Sequence, residues 1–183
     1  MEELQLIKNC QKGDLTSFTE LYDTYVRKIH QFIYYKTHHR ETAEDLTATV
    51  FMKALENISS YDSNKSAFKT WLYQIARNSV TDHYRAYRQI GDIEDAWDLH
   101  TKDDIEKETD IKMRLDSVRE YLKTLKADQR EIIILRVWGG YGFAEIAEIT
   151  GKTEAACKMM FGRSIEKLRQ DIPMLVLLAL FLQ

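Results

Sequence analysis

Thr70, Tyr73, Arg77, Thr81, Tyr84, Arg85 and Arg88 recur at three- and four-residue intervals, so a helix would bring them to one side. Aromatic rings beside cations suit unstacked bases and phosphates together, the chemistry of gripping a single strand. The same spacing serves equally for a solvated face whose tyrosines reach partly into a core. A second set, Ala155, Lys158, Met159, Gly162, Arg163 and Glu166, gathers small and basic residues on one side of another helix. Small side chains let a backbone approach a duplex, as the second helix of a helix-turn-helix does in a major groove. Neither set is a reaction centre. No glycine-rich phosphate loop, metal-ligand cluster or nucleophile with a paired base stands out, so an enzyme fits worst and no cofactor or metal is expected. Adjacent His38 and His39 cannot both face one metal from a helix, which favours a loop or solvated role for them.

The element that must position the second set is the stretch 141–168. Phe143, Ile146, Ala147 and Ile149 share one side of a two-turn helix, and Gly151 can take the positive φ that stops it. Thr153 can then cap a second helix, in which Cys157, Phe161, Ser164, Ile165 and Leu168 repeat at helical spacing. A helical hairpin inside an all-α domain would show the same periodicity. The first set needs a helix through residues 67–88, with Phe68, Trp71, Leu72, Ile75, Ala76 and Val80 as its buried stripe.

The chain has 183 residues, 44% apolar and 30% charged, which places it with soluble globular proteins. One proline and seven glycines leave few β-turn signals and long uninterrupted helices, so an all-α fold is expected. The net charge of −3 is unevenly spread. Residues 1–89 carry 12 Lys/Arg against 11 Asp/Glu, residues 90–110 carry 2 against 9, and residues 111–183 carry 12 against 9. A near-neutral and a weakly basic block would bind free DNA poorly, because nonspecific affinity comes from neutralised phosphates. Work on DNA would therefore need a partner's help. Cys10 and Cys157 stand apart, without CxxC spacing, and the acidic N-terminus lacks the apolar run of an export signal. A reducing, cytoplasmic location is expected.

In chain order, a short helix over residues 4–12 closes at Gly13, and Asp14 can cap the next. That next helix carries Phe18, Leu21, Tyr22, Tyr25, Val26, Ile29, Phe32 and Ile33 at helical spacing through about five turns. A third, over residues 41–57, turns Ala43, Leu46, Val50, Phe51, Ala54 and Leu55 inward. Residues 59–66 read as a polar loop. The acidic, apolar-poor segment 90–110 has the composition of a flexible linker. Helix resumes from residue 111, and Asp128 with Glu131 makes a capping-box-like start for the next helix. The expected organisation is thus two small helical domains, 1–89 and 111–171, joined by the linker 90–110 and followed by an apolar tail, 172–183. That tail is shorter than the roughly 20 residues of a membrane span, so the chain is not read as an integral membrane protein. Packing onto protein suits it better.

Three segments in order resemble the bacterial extracytoplasmic-function (ECF) sigma factors of the sigma-70 family, the small two-domain kind. AEDLTATVFMKAL, residues 43–55, is similar to the family's polymerase-binding helix. FKTWLYQIARN, residues 68–78, is similar to its promoter-melting helix, and LKADQREIIILRVWGGYGFAEIAEITGKTEAACK, residues 125–158, to its C-terminal helix-turn-helix. The resemblance spans residues 4–169. It implies an alternative sigma factor: a noncatalytic subunit that joins core RNA polymerase, selects promoters and helps open the duplex. It implies clamp contacts to the β′ and β subunits through Asp45, Leu46, Ala48, Thr49 and Phe51. A loop of Tyr61, Asp62, Ser63, Asn64 and Lys65 would capture a flipped base of the minus-ten element, with Trp71, Tyr73, Arg77, Asn78, Asp82, Arg85 and Arg88 along the opened strand. Thr153, Ala155, Ala156, Lys158, Met159, Gly162 and Arg163 would face the minus-thirty-five element. The linker would mimic nucleic acid inside the polymerase. An anti-sigma factor is implied as a further partner, and no small-molecule substrate. The chain departs from the family's pattern at Ala48-Thr49, where Gln-Glu is common, and at Met160, where arginine is common. Two other readings remain from the residues alone: a freestanding helix-turn-helix regulator, and a sigma-like adaptor that binds polymerase or an anti-sigma factor without reading promoters.

Overall fold

The structure, a computed structural model, describes residues 2–88, 122 and 124–171. The linker expected at 90–110, most of the helix expected from residue 111 and the tail 172–183 lie outside the described residues. Among the described residues no helix is long and apolar enough to cross a membrane. The chain divides into two compact units, Met1–Leu99 and His100–Gln183.

In the first unit, α1 (Glu3–Gln11) ends at a left-handed Gly13, and Asp14 caps α2 (Leu15–Thr37) as the sequence suggests. The Asp14 carboxylate accepts from the Thr16 backbone N–H at 3.0 Å and from the Ser17 hydroxyl at 2.7 Å. α2 stops where His38 takes a left-handed conformation, φ 51°, and its N–H donates to the Tyr34 carbonyl at 2.7 Å. His39 then caps α3 (Arg40–Asn57), its Nδ1 accepting from the Thr42 N–H at 3.2 Å. The two histidines are thus the turn itself, and His38 is buried rather than solvated. A 3-10 turn, Ile58–Ser60, and the loop after it lead to α4 (Phe68–Arg88).

α4 packs against both α2 and α3, while α1 lies on α2 and on the 3-10 turn. Their shared core holds Leu21, Ile29, Phe32, Ile33, Val50, Phe68, Leu72 and Ala76, all nearly inaccessible. Being covered on two sides widens the buried arc of α4 beyond one stripe. Thr70 and Tyr73 therefore sit in the core at 1% exposure instead of on a nucleic-acid face, and the Tyr73 ring meets Phe32 edge-on at 5.1 Å. Tyr22 and Leu55 go the other way, expected inside but 39% and 38% exposed.

In the second unit, α5 (Ala127–Ile133) begins earlier than the Asp128 and Glu131 pattern suggests. Gln129 supplies the cap by accepting the Lys126 N–H at 3.3 Å. Asp128, inside the first turn, instead holds Lys152 at 2.7 Å, and Glu131 is buried. From Ile134 to Trp138 the helix widens to a π turn, closed by the Gly139 N–H on the Ile134 carbonyl at 3.1 Å. A β-carbon on Gly139 would stand 2.6 Å from both the Leu135 carbonyl and the Tyr141 ring, so only glycine fits. α6 (Phe143–Thr150) and α7 (Glu154–Asp171) follow. Leu122, Leu125, Ile133 and Leu168 form an apolar cluster, with Val137, Trp138, Phe161 and Ile165 packed at its margin.

Candidate nucleic-acid interface

α7 is positioned by its turn. Gly151 stops α6 in the left-handed region, φ 70°, and Thr153 caps α7, its hydroxyl accepting the Ala156 N–H at 3.2 Å. Arg136 braces the front of α6, donating to the Tyr141 carbonyl at 2.8 Å and lying 4.9 Å from the Phe143 ring centre. Inward go Cys157, Ser164 and Leu168; outward go Ala155, Lys158, Met159, Gly162, Arg163 and Glu166, all exposed. Ala156 is half-buried. Lys158 is held by Glu154 at 2.6 Å. Such an exposed i,i+4 pair opens readily to a phosphate. The face combines an apolar side chain, Met159 at 49% exposure, with small residues that permit close backbone approach.

The first unit presents two outward faces. On α4, Gln74, Asn78, Thr81, Asp82 and Arg85 are exposed, with Trp71 and Arg77 half-buried. Arg85 pairs loosely with Asp82, 3.8 Å apart at high exposure. Tyr84 is half-buried, and its hydroxyl donates to the Lys36 carbonyl at 3.0 Å, tying α4 to the end of α2. Arg88 lies on α4, but its side chain is outside the described residues. The aromatic and basic members of the stripe thus part company: tyrosines turn inward and arginines outward. Gln74, missed in the sequence reading, shares the exposed face, and its i+3 spacing from Trp71 was the available signal.

The loop before α4 exposes Ser63, Asn64 and Lys65, with Asp62 half-buried. Asp62 Oδ1 accepts the Asn64 N–H at 2.9 Å, forming an Asx turn. Tyr61 is buried beneath the loop, its ring 5.6 Å from Phe68 and 5.1 Å from Trp71 and its hydroxyl donating to the Ser66 carbonyl at 2.8 Å. That burial also pushes the Tyr61 phenol above its ordinary value. Tyr61 supports the loop rather than projecting from it.

On α3, Asp45 and Ala48 are exposed and Thr49 is half-buried, its hydroxyl donating to the Asp45 carbonyl at 2.9 Å. Leu46 and Phe51 are buried, Phe51 meeting Tyr22 edge-on at 4.7 Å. Asp45, Ala48, Met52 and Leu55 follow at helical spacing as one outward face, and Met52 is 62% exposed. Exposed apolar side chains gathered on one face mark a protein-binding surface. Met52 and Leu55 were not singled out from sequence, since apolar residues beside a core stripe read as part of it.

Comparison with known proteins follows this division. The Sigma-70 region 2 family model matches residues 21–90, and the Sigma-70, region 4 model matches residues 115–168. The ECF RNA polymerase sigma factor SigX of Bacillus subtilis is 30% identical over 166 residues, covering 87% of this chain and 85% of that protein. The chain belongs to the ECF group of the sigma-70 family. A second ECF sigma factor, BldN of Streptomyces coelicolor, is 32% identical over 177 residues, 93% of this chain but 66% of that protein, so the chain spans about two thirds of that relative. Among solved structures, CnrH in complex with the cytosolic domain of CnrY superposes with TM-score 0.70 at 21% identity, covering 89% of this chain and 92% of that one. RpoE of Bartonella quintana, in complex with the anti-sigma factor NepR, gives TM-score 0.67 at 24% identity, with 84% and 94% covered. These structural likenesses speak for the sigma fold. In sigma terms α2 to α4 are region 2 and α5 to α7 region 4, while α1 falls outside both matched segments.

Proposed function

We propose that the two units of this sigma factor divide the work of directing RNA polymerase to promoters. The observation that carries the division is the set of outward faces, each supported from behind by buried residues of the same motif. The α3 face, Asp45, Ala48, Thr49, Met52 and Leu55, takes the polymerase clamp, with Leu46 and Phe51 holding it from within. The loop residues Asp62, Ser63, Asn64 and Lys65 receive an extruded base of the minus-ten element. Trp71, Gln74, Arg77, Asn78, Asp82 and Arg85 line the opened strand, and Arg88 extends that line. Extrusion costs a few kcal/mol, which a pocket and flanking cations can offset. The exposed face of α7, with Thr153 and Ala156 at its base, lies in the minus-thirty-five major groove. The seven excess negative charges of residues 90–110 suit a basic channel of the polymerase. Protein of this kind works in the cytoplasm, beside the polymerase, and the apolar α3 face also suits an anti-sigma factor, as CnrY and NepR occupy the structural neighbours.

Run-off transcription with purified core on genomic fragments tests this reading. Initiation from discrete sites only when both core and this protein are present is the expected result. A nanomolar duplex complex formed without core would point to a freestanding regulator instead. Core binding with no initiation would point to an adaptor, the reading that Ala48, Thr49 and Met160 favour by departing from the family's pattern.

A further inference from the structure

The loop 61–66 is fixed at several points, and one of them comes from outside the matched sigma segments. Gln11, the last residue of α1, donates its side-chain amide to the Ile58 carbonyl at 3.1 Å and to the Tyr61 carbonyl at 2.8 Å. Those two carbonyls bracket the 3-10 turn that leads into the loop. The far end is tied by the Tyr61 hydroxyl on the Ser66 carbonyl. Between them, Asp62 takes both the backbone and side-chain N–H groups of Asn64, and the Lys65 N–H donates to the Asp62 carbonyl at 3.1 Å. α1 is itself anchored by buried Leu6, Ile7 and Cys10 and by the Tyr25 hydroxyl on the Glu3 carboxylate.

We propose that Gln11 is a positioning residue for promoter opening, its amide holding the 61–66 loop in receptive shape before DNA arrives. The inference rests on the assignment of that loop to base capture. An amide carries two N–H donors and can serve two carbonyls at once; a carboxylate of the same shape has none and repels both. Ser63, Asn64 and Lys65 make their side chains available to a ligand because the backbone under them is already set. A loop that must be ordered during binding spends part of its interaction energy on that ordering. α1 thereby becomes part of the promoter-opening apparatus although no residue of it touches DNA.

The test uses holoenzyme rebuilt from core and wild-type, Gln11→Ala or Gln11→Glu protein, on a promoter found by run-off transcription. Abasic sites are placed singly along the non-template strand of its minus-ten element. The wild type is expected to lose open complexes sharply at the captured position. Gln11→Glu is expected to form roughly tenfold fewer open complexes on the intact promoter, the effect of losing two hydrogen bonds, and to lose little more at the abasic site. Gln11→Ala should fall between. Core affinity should be unchanged, and in the free protein only the amides of residues 58–66 should exchange faster. Full abasic sensitivity in Gln11→Glu overturns the proposal, as does equal loss at every template position, which a general folding defect would give. A wild type that initiates without any abasic-sensitive position overturns the loop assignment, and no initiation at all overturns the proposed function with it.

Discussion

Asp14 is fully exposed, yet its carboxyl is held below the usual carboxylate range, first by the Ser17 hydroxyl and then by the N–H groups at the start of α2. A lowered value in the folded state means that this cap stabilises fully above the ordinary carboxyl pKa, about 3.9, and is lost as pH falls through the folded value. Asp14→Ala should therefore melt below the wild type at pH 7, and the gap should close below about pH 4. Thermal unfolding followed by circular dichroism across that range checks it; a gap that widens in acid would contradict the assignment. The capping role was legible because an aspartate after a glycine, ahead of an apolar period, is a local signal. Tyr73 and Tyr84 were not legible in the same way. A tyrosine satisfies its hydroxyl in water or on a backbone carbonyl, as Tyr84 does on Lys36, so period alone leaves its side undecided.

α7 and its turn show how far local chemistry reaches. Gly151 at φ 70° has nothing within 4 Å of the place a β-carbon would take, so replacing it by alanine costs only backbone strain. Gly151→Ala should lower the stability of the second unit by about 1–2 kcal/mol, read as a shifted urea midpoint in its unfolding. An unchanged midpoint would show that the turn relaxes. The exposed and buried faces of α7 came out of the sequence intact because one flank packs and the other does not. α4 did not, because two neighbours cover it and its buried arc swallowed Thr70 and Tyr73. The Asp128 cap failed for another reason: α5 begins at Ala127, and Asp128 is occupied by Lys152 from the turn between α6 and α7. Gln11 could not be found by period or motif at all, since its partners lie 47 and 50 residues away.

For the whole molecule, two weakly charged units gain DNA affinity by being carried on one polymerase, where the second contact becomes intramolecular. The polymerase face should then be the most sensitive place on the chain. Met52→Glu, at a position 62% exposed, should leave the melting temperature unchanged and weaken core binding about tenfold, the effect of losing one apolar anchor. Titration of core into labelled protein measures this, and equal affinity would move the interface away from α3. The π turn at Ile134–Trp138 has a consequence of a different kind. It accommodates one residue more than an unbroken α-helix would, and each residue of such a helix rotates the downstream chain by about 100°. Losing a single codon there would restore an ordinary helix and rotate the start of the Gly-Gly turn by that angle. The heading of the DNA-reading motif is in this sense spelled by three nucleotides, far from any base it reads.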